Sequence, residues 1–126
     1  MRARLTIVVA AAAAALAASS LAPASSTATP FRARLIAPTH APQVNTRWTY
    51  SVILRDLDGR PIRGALRVYV YERGRRIDTV GWYGIAGKTT RTMRWHPSLR
   101  GRSLVFRVVV LANKSRANLD YWIKPR

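Results

Sequence analysis

Asp56-Leu57-Asp58-Gly59 sets two carboxylates one residue apart, just ahead of a glycine. That spacing could serve a hard cation such as calcium, which gathers about six to eight oxygen ligands. No further carboxylate lies nearby in sequence, and Arg55, Arg60 and Arg63 would repel a divalent ion. Gly59 and Pro61 are the residues a tight strand connection uses. The stretch therefore predicts a turn, with Asp56 and Asp58 bonding backbone amides or neighbouring arginines. No metal site and no cofactor are expected.

The remaining reactive residue types are sparse. His40, between Thr39 and Pro42, and His96, before Pro97, both read as surface residues. There is no cysteine, and no serine stands in a nucleophile-elbow motif. Glu72, Asp78 and Asp120 are scattered along the chain. The run Gly81–Gly87, GWYGIAG, lacks both the Walker lysine and a helix to open, so it reads as a strand-connecting loop. Asn113-Lys114-Ser115 has the form of a glycosylation sequon but reads as a turn. The chain is expected not to be an enzyme.

Charge is the larger signal. The 126 residues carry a formal net charge of +17, with only five acids against 22 bases. All the bases but Lys88, Lys114 and Lys124 are arginine, which a GC-rich coding bias would favour over lysine. Such a bias does not explain the shortage of acids. A chain of this charge attracts polyanions: nucleic acid without sequence specificity, anionic lipid, or an acidic wall polymer.

The amino terminus has a secretory pattern. Arg2 and Arg4 precede the apolar run Leu5–Ala18, and Ala22-Pro23-Ala24 has the small-x-small form of a cleavage site. Residues 1–24 are read as a signal peptide, residues 25–30 as a flexible linker and residues 31–126 as one domain. The expected location is secreted or extracytoplasmic, in the cell envelope. No later segment is apolar enough to span a membrane, so no integral span remains after cleavage. About 100 residues suffice to bury one core without disulfides.

Beyond the linker, short β-rich runs alternate with turn residues, and no helical periodicity appears. Seven strands are expected: 31–37, 47–55, 64–72, 76–82, 89–95, 103–112 and 117–124. Turns at near-regular spacing predict an all-β, two-sheet sandwich. The segment WTYSVILRDLDGRPIRGALRVYV, followed by Gly87 and SLVFRVVVLA, resembles a bacterial immunoglobulin-like domain. Fibronectin type III-like sandwiches read much the same. The resemblance implies a seven-stranded immunoglobulin-like sandwich that acts as an adhesion, spacer or binding module without catalysis.

Strand parity then locates a candidate surface. The third, sixth and seventh strands share one sheet in such a fold. Leu66, Val68 and Val70 would face the core, as would Leu104, Phe106, Val108 and Val110. The outer face would carry Arg67, Tyr69, Tyr71, Arg107, Val109, Leu111 and Trp122, framed further by Lys124. A solvated face would be more polar, so these residues form a candidate protein-binding face. The loops around His40, Arg73–Arg76 and Arg100–Arg102 should emerge at one end. Arg73, Arg75, Arg76, Arg100 and Arg102 would there form an anion-binding pole. The expected function is a secreted binding or envelope-structural module that contacts an envelope or extracellular protein. The alternative is a polyanion-binding module.

Overall fold

The computed structural model describes residues 30–126. The expected signal peptide, and the linker apart from Pro30, lie outside the described residues. Seven strands follow in order: β1 (Phe31–Ile36), β2 (Arg47–Asp56), β3 (Arg63–Glu72), β4 (Arg75–Ala86), β5 (Lys88–Arg94), β6 (Leu104–Ala112) and β7 (Ser115–Ile123). One short 3-10 turn, Pro97–Leu99, joins β5 to β6. No helix among the described residues is long and apolar enough to cross a membrane.

Alternation makes these strands. In β2, Trp48, Tyr50, Val52 and Leu54 are buried, while the residues between them are less so. In β3 and β6 the buried sets are Leu66, Val68, Val70 and Leu104, Phe106, Val108, Val110. A period of two places one face of each strand on a core.

All pairings are antiparallel, in the order β1-β2-β5 and β4-β3-β6-β7. The two groups are joined by one pair only, Ala86 with Lys88. There the ribbon turns over at Gly87, whose φ is +81°. A Cβ on Gly87 would stand 2.6 Å from Cβ of Pro61, so only glycine fits this corner. The result is a sandwich of three strands on four. The fourth strand stays beside the third, as C′ does in immunoglobulin variable-type sheets.

Aromatic rings bridge the two sheets. Trp48 of β2 meets Phe106 of β6 edge-on at 5.0 Å, and Tyr50 meets the same ring at 4.9 Å. Trp95 packs on Trp48 at 5.5 Å. Burial of each aliphatic or phenyl side chain contributes roughly 1.5–3 kcal/mol, which is how a chain without disulfides holds together.

One expectation fails here. The stretch Tyr83–Gly87 is not a loop: β4 runs on to Ala86, and only Gly87 turns. Two bulges fall in β4's pairing with β3, opposite Leu66/Arg67 and Val70/Tyr71. Gly81, with φ +116°, occupies the first, where a Cβ would approach Cα of Arg67 to 3.1 Å. Gly81 thus serves irregular pairing, and the chain reversal is left to Gly87 alone.

The first strand begins at Phe31, which pairs with Asp56. At the other end of the sandwich, residues 40–44 run along the end of β7. His40 O accepts from Lys124 N–H at 2.8 Å, Pro42 O from Arg126 N–H at 3.0 Å, and Arg126 O from Val44 N–H at 2.9 Å.

Candidate functional site

The outer face of the four-stranded sheet is arranged in registered rows. Tyr71 lies opposite Val105, which lies opposite Trp122. Tyr69, Arg107 and Asp120 form the next row, then Arg67, Val109 and Asn118, then Ala65, Leu111 and Arg116.

Guanidinium groups and rings alternate across this face. Arg67 stands 5.6 Å from the Tyr69 ring and 5.4 Å from the Trp82 ring. Arg76 stands 4.9 Å from Tyr69, and Arg107 4.9 Å from Tyr71. Tyr69 and Tyr71 meet edge-on at 6.2 Å. Cation–π contacts at exposed sites contribute about 0.5–1 kcal/mol each, which biases the arginine side chains toward these stacks against roughly 2 kcal/mol of rotamer entropy. Arg107 also donates through Nε and Nη2 to the two Asp120 oxygens, at 2.7 and 2.9 Å. Those bonds hold the Asp120 carboxyl below its ordinary range and raise the Arg107 guanidinium.

Six of the seven candidate face residues are at least partly accessible. Val109 is not. It is only 2% exposed, between its registered neighbours Arg67 and Asn118, and it can offer a partner nothing. Parity points it outward, but it lies in mid-sheet with a strand paired on either side, and it is buried there. Leu111 is exposed but sits at the far end, beside Lys114 and Arg116. Trp122 is 61% exposed, at the opposite end from Leu111.

Parity also missed Trp82. It is 48% exposed and stacks with Arg67, yet it occupies the extra position of the bulge between Gly81 and Tyr83. A bulge displaces a residue from the strict alternation that sequence reading relies on.

The arginine pole adjoins this face. Arg73, Arg75, Arg76 and Arg102 surround one depression with Glu72. Arg102 grips Glu72 through Nε and Nη2, which lowers the Glu72 carboxyl and raises the guanidinium. Arg100 points elsewhere: it lines a second, shallow depression with Ala41, Trp122 and Arg126. The pole is therefore two neighbouring patches rather than one ring of five arginines.

His40 is not a free surface side chain. Its Nδ1–H donates to Trp122 O at 2.6 Å, and its ring stacks at 3.9 Å on Tyr121 and 4.1 Å on Trp122. It pins the approach of residues 40–44 to β7. His96 is exposed; its Nδ1 accepts from Ser98 N–H at 3.1 Å and lies 2.8 Å from Ser98 Oγ, capping the 3-10 turn.

The Asp56–Gly59 stretch is a turn closed by Gly59 N–H to Asp56 O at 3.1 Å, with φ +86° at Gly59. Asp56 Oδ1 accepts from the amides of Asp58 and Arg60, both at 2.9 Å. Backbone donors thus hold one of the two Asp56 oxygens, as a turn requires.

No family model matches the chain, and no curated protein matches it in sequence. Among solved structures it is similar to part of a β-glucosidase from Listeria innocua. That match has 11% identity and a TM-score of 0.48, over 75% of this chain and 16% of the glucosidase. It is also similar to the CARDB domain of a Pyrococcus furiosus protein. The solution structure matches with 20% identity and a TM-score of 0.41, over 76% of this chain and 94% of that domain. The crystal structure of the same domain with di-metal ions gives 19% identity and a TM-score of 0.40.

Proposed function

We propose that the chain is a non-catalytic, extracytoplasmic binding module of the bacterial immunoglobulin-like kind, and that it meets a protein partner through the outer face of its four-stranded sheet. The observation that carries this reading is the set of guanidiniums of Arg67, Arg76 and Arg107 already stacked on Trp82, Tyr69 and Tyr71. Arginine, tyrosine and tryptophan dominate the energetics of protein interfaces. Side chains ordered before contact lose less freedom on binding. The stacked guanidiniums keep N–H groups for acidic side chains of the partner. Export rests on the pattern of residues 1–24.

A photo-crosslinker at Trp82, in cells that produce the protein, tests this. One defined adduct is expected, reduced by Tyr71→Thr and by Arg107→Ala and retained at about 0.5 M salt, where exposed charge pairs are screened. No adduct, or the same adduct from a crosslinker at Thr49 on the other sheet, rejects the face.

A second reading has its own observation. Glu72 is the only acid in the depression lined by Arg73, Arg75, Arg76 and Arg102. This pole suits an anionic wall polymer, lipid headgroups or nucleic acid bound without sequence preference. Replacing Arg75, Arg76, Arg100 and Arg102 with serine should then weaken retention on anionic vesicles or DNA at low salt. Tyr71→Thr with Trp122→Thr should leave that retention intact.

A further inference from the structure

The outer face of the three-stranded sheet differs in chemistry from that of the four-stranded one. In β2 the buried set is Trp48, Tyr50, Val52 and Leu54, so Arg47, Thr49, Ser51, Ile53 and Arg55 face outward. Register sets Arg32 beside Arg55 in one row, and Arg34, Ile53 and Lys88 in the next. At the other end Arg47 lies opposite Arg94. Between these charged rows, Ser51 lies opposite Thr90 and Thr49 opposite Thr92. Their hydroxyls bond in pairs, at 2.9 and 3.0 Å. Each pair leaves one O–H to donate elsewhere.

Six cations thus share this face: Arg32, Arg34, Arg47, Arg55, Lys88 and Arg94. All but Arg55 are exposed. No acid stands in the same outward set. Glu72, Asp78 and Asp120 belong to the other sheet, on β3, β4 and β7. Asp56 and Asp58 sit in the turn at the end of β2, where Arg60 and Arg63 match them in number. The ion pairs among the described residues, Arg102–Glu72 and Arg107–Asp120, are both made away from this face. Arg94 donates one N–H to Asn45 O at 2.9 Å and keeps others.

We propose that this face docks the protein on an anionic lipid bilayer. Charge complementarity selects an anionic surface, and the extent of the face selects a planar one. Arg47 and Arg55 are eight residues apart on one strand, about 27 Å, and three strands add about 10 Å of width. A layer of headgroups meets the cations at both ends of such a face together. Single-stranded nucleic acid is held by rings on which its bases stack, and no residue of this outward set is aromatic. Ile36, 41% exposed, and Ile53 lie on the same face, where they add apolar area at the headgroup boundary. The docking face is opposite the protein-binding face, so both contacts can be made at once. It rests neither on that reading nor on the arginine pole.

Vesicles of phosphatidylglycerol and phosphatidylcholine in equal parts are the probe, at about 0.1 M salt. The protein should sediment with them and not with phosphatidylcholine alone. Each cation near an anionic bilayer strengthens binding about fivefold. Replacing Arg32, Arg34, Arg47 and Lys88 with glutamine should therefore weaken binding at least about a hundredfold. The melting temperature should hold, because all four are exposed. Replacing Arg75, Arg76, Arg100 and Arg102 with serine removes as many cations but should weaken binding less than about tenfold, since charges beyond a Debye length of the surface are screened. The chain has no cysteine, so a dye can be placed singly through Thr49→Cys or Asn118→Cys. Brominated lipids should quench the dye at position 49 and not the dye at position 118. The proposal is overturned if the glutamine variant binds like the parent, or if phosphatidylcholine vesicles bind equally well. Equal quenching at the two positions also overturns it. A serine variant that loses as much as the glutamine variant, or more, rejects this face in favour of the arginine pole. Short duplex DNA that binds as tightly as the vesicles, through the same four cations, replaces the bilayer with a polyanion.

Discussion

Arg107 and Asp120 face each other in register on β6 and β7 and meet fork to fork, while the same guanidinium lies over Tyr71. One side chain thereby ties three strands together across the exposed face. The pair is also a pH element. Asp120 and Glu72 both have carboxyls held low by their arginines. An unfolded chain binds protons there first, so stability is present above the ordinary carboxylate range and falls as pH drops through the lowered values. Thermal unfolding should be flat from neutral pH down to about 5 and decline below about 4. Asp120→Asn should flatten part of that decline and cost no more than the ~0.2–1 kcal/mol of an exposed pair.

Tyr50 provides the alkaline counterpart. Burial pushes its phenol up to about 12, against a smaller opposing pull from Arg91. The folded state holds this proton longer than the unfolded chain, which releases it near 10. Stability should therefore fall between about pH 10 and 12. Tyr50→Phe should remove that part of the loss, read as melting temperature against pH.

Val109 and Leu111 share a strand and a parity but not an environment. Val109→Ser should destabilise the fold by about 1–3 kcal/mol, because it empties and polarises a closed site. Leu111→Ser, exposed at the end of the sheet, should stay within about 0.5 kcal/mol. Chemical denaturation of the two variants measures the contrast. Equal costs would mean that the outer face is not closed at mid-sheet.

Gly81 holds the bulge that presents Trp82. Gly81→Ala brings a Cβ to within 3.1 Å of the Arg67 backbone at a positive φ. A destabilisation of about 1–3 kcal/mol is expected. The environment of Trp82 should change with it, visible as a shift in its fluorescence relative to a Trp82→Phe control.

In the Asp56 turn, Asp56→Ala removes the acceptor of two backbone amides. The cost should be about 0.5–2 kcal/mol, as for lost helix caps of similar chemistry. Calcium should restore none of it and should not raise the melting temperature of the parent, because Arg55, Arg60 and Arg63 surround two carboxylates that no third ligand joins among the described residues. Strong stabilisation by calcium, abolished in Asp58→Asn, would contradict the turn.

Strand membership was legible because β2, β3 and β6 alternate so cleanly that parity alone places Leu66, Phe106 and their neighbours inside. Parity fails where a strand carries glycines or bulges. Tyr83-Gly84-Ile85-Ala86 offers too few side chains to reveal a period, and Trp82 falls on the displaced residue. Val109 fails for a different reason: it is buried in mid-sheet, between strands that lie far from it in sequence. The hollow between the edges of β4 and β5 was beyond reach for a like cause. Val70, Met93, Trp95 and Leu99 belong to separate segments, and no local pattern announces that they meet.

The start of the first strand has a directional consequence. Phe31 lies beside Asp56, whereas Arg73, Arg75, Arg76 and Arg102 gather at the other end, with Arg126 nearby. Strand β7 alone, at nine residues, spans about 30 Å between those ends. A support that grips the protein through its amino-terminal side would hold it upright, arginines outermost, like a bristle with a charged tip. A support that grips it near Arg126 would press that tip against itself and leave the Asp56 turn facing outward.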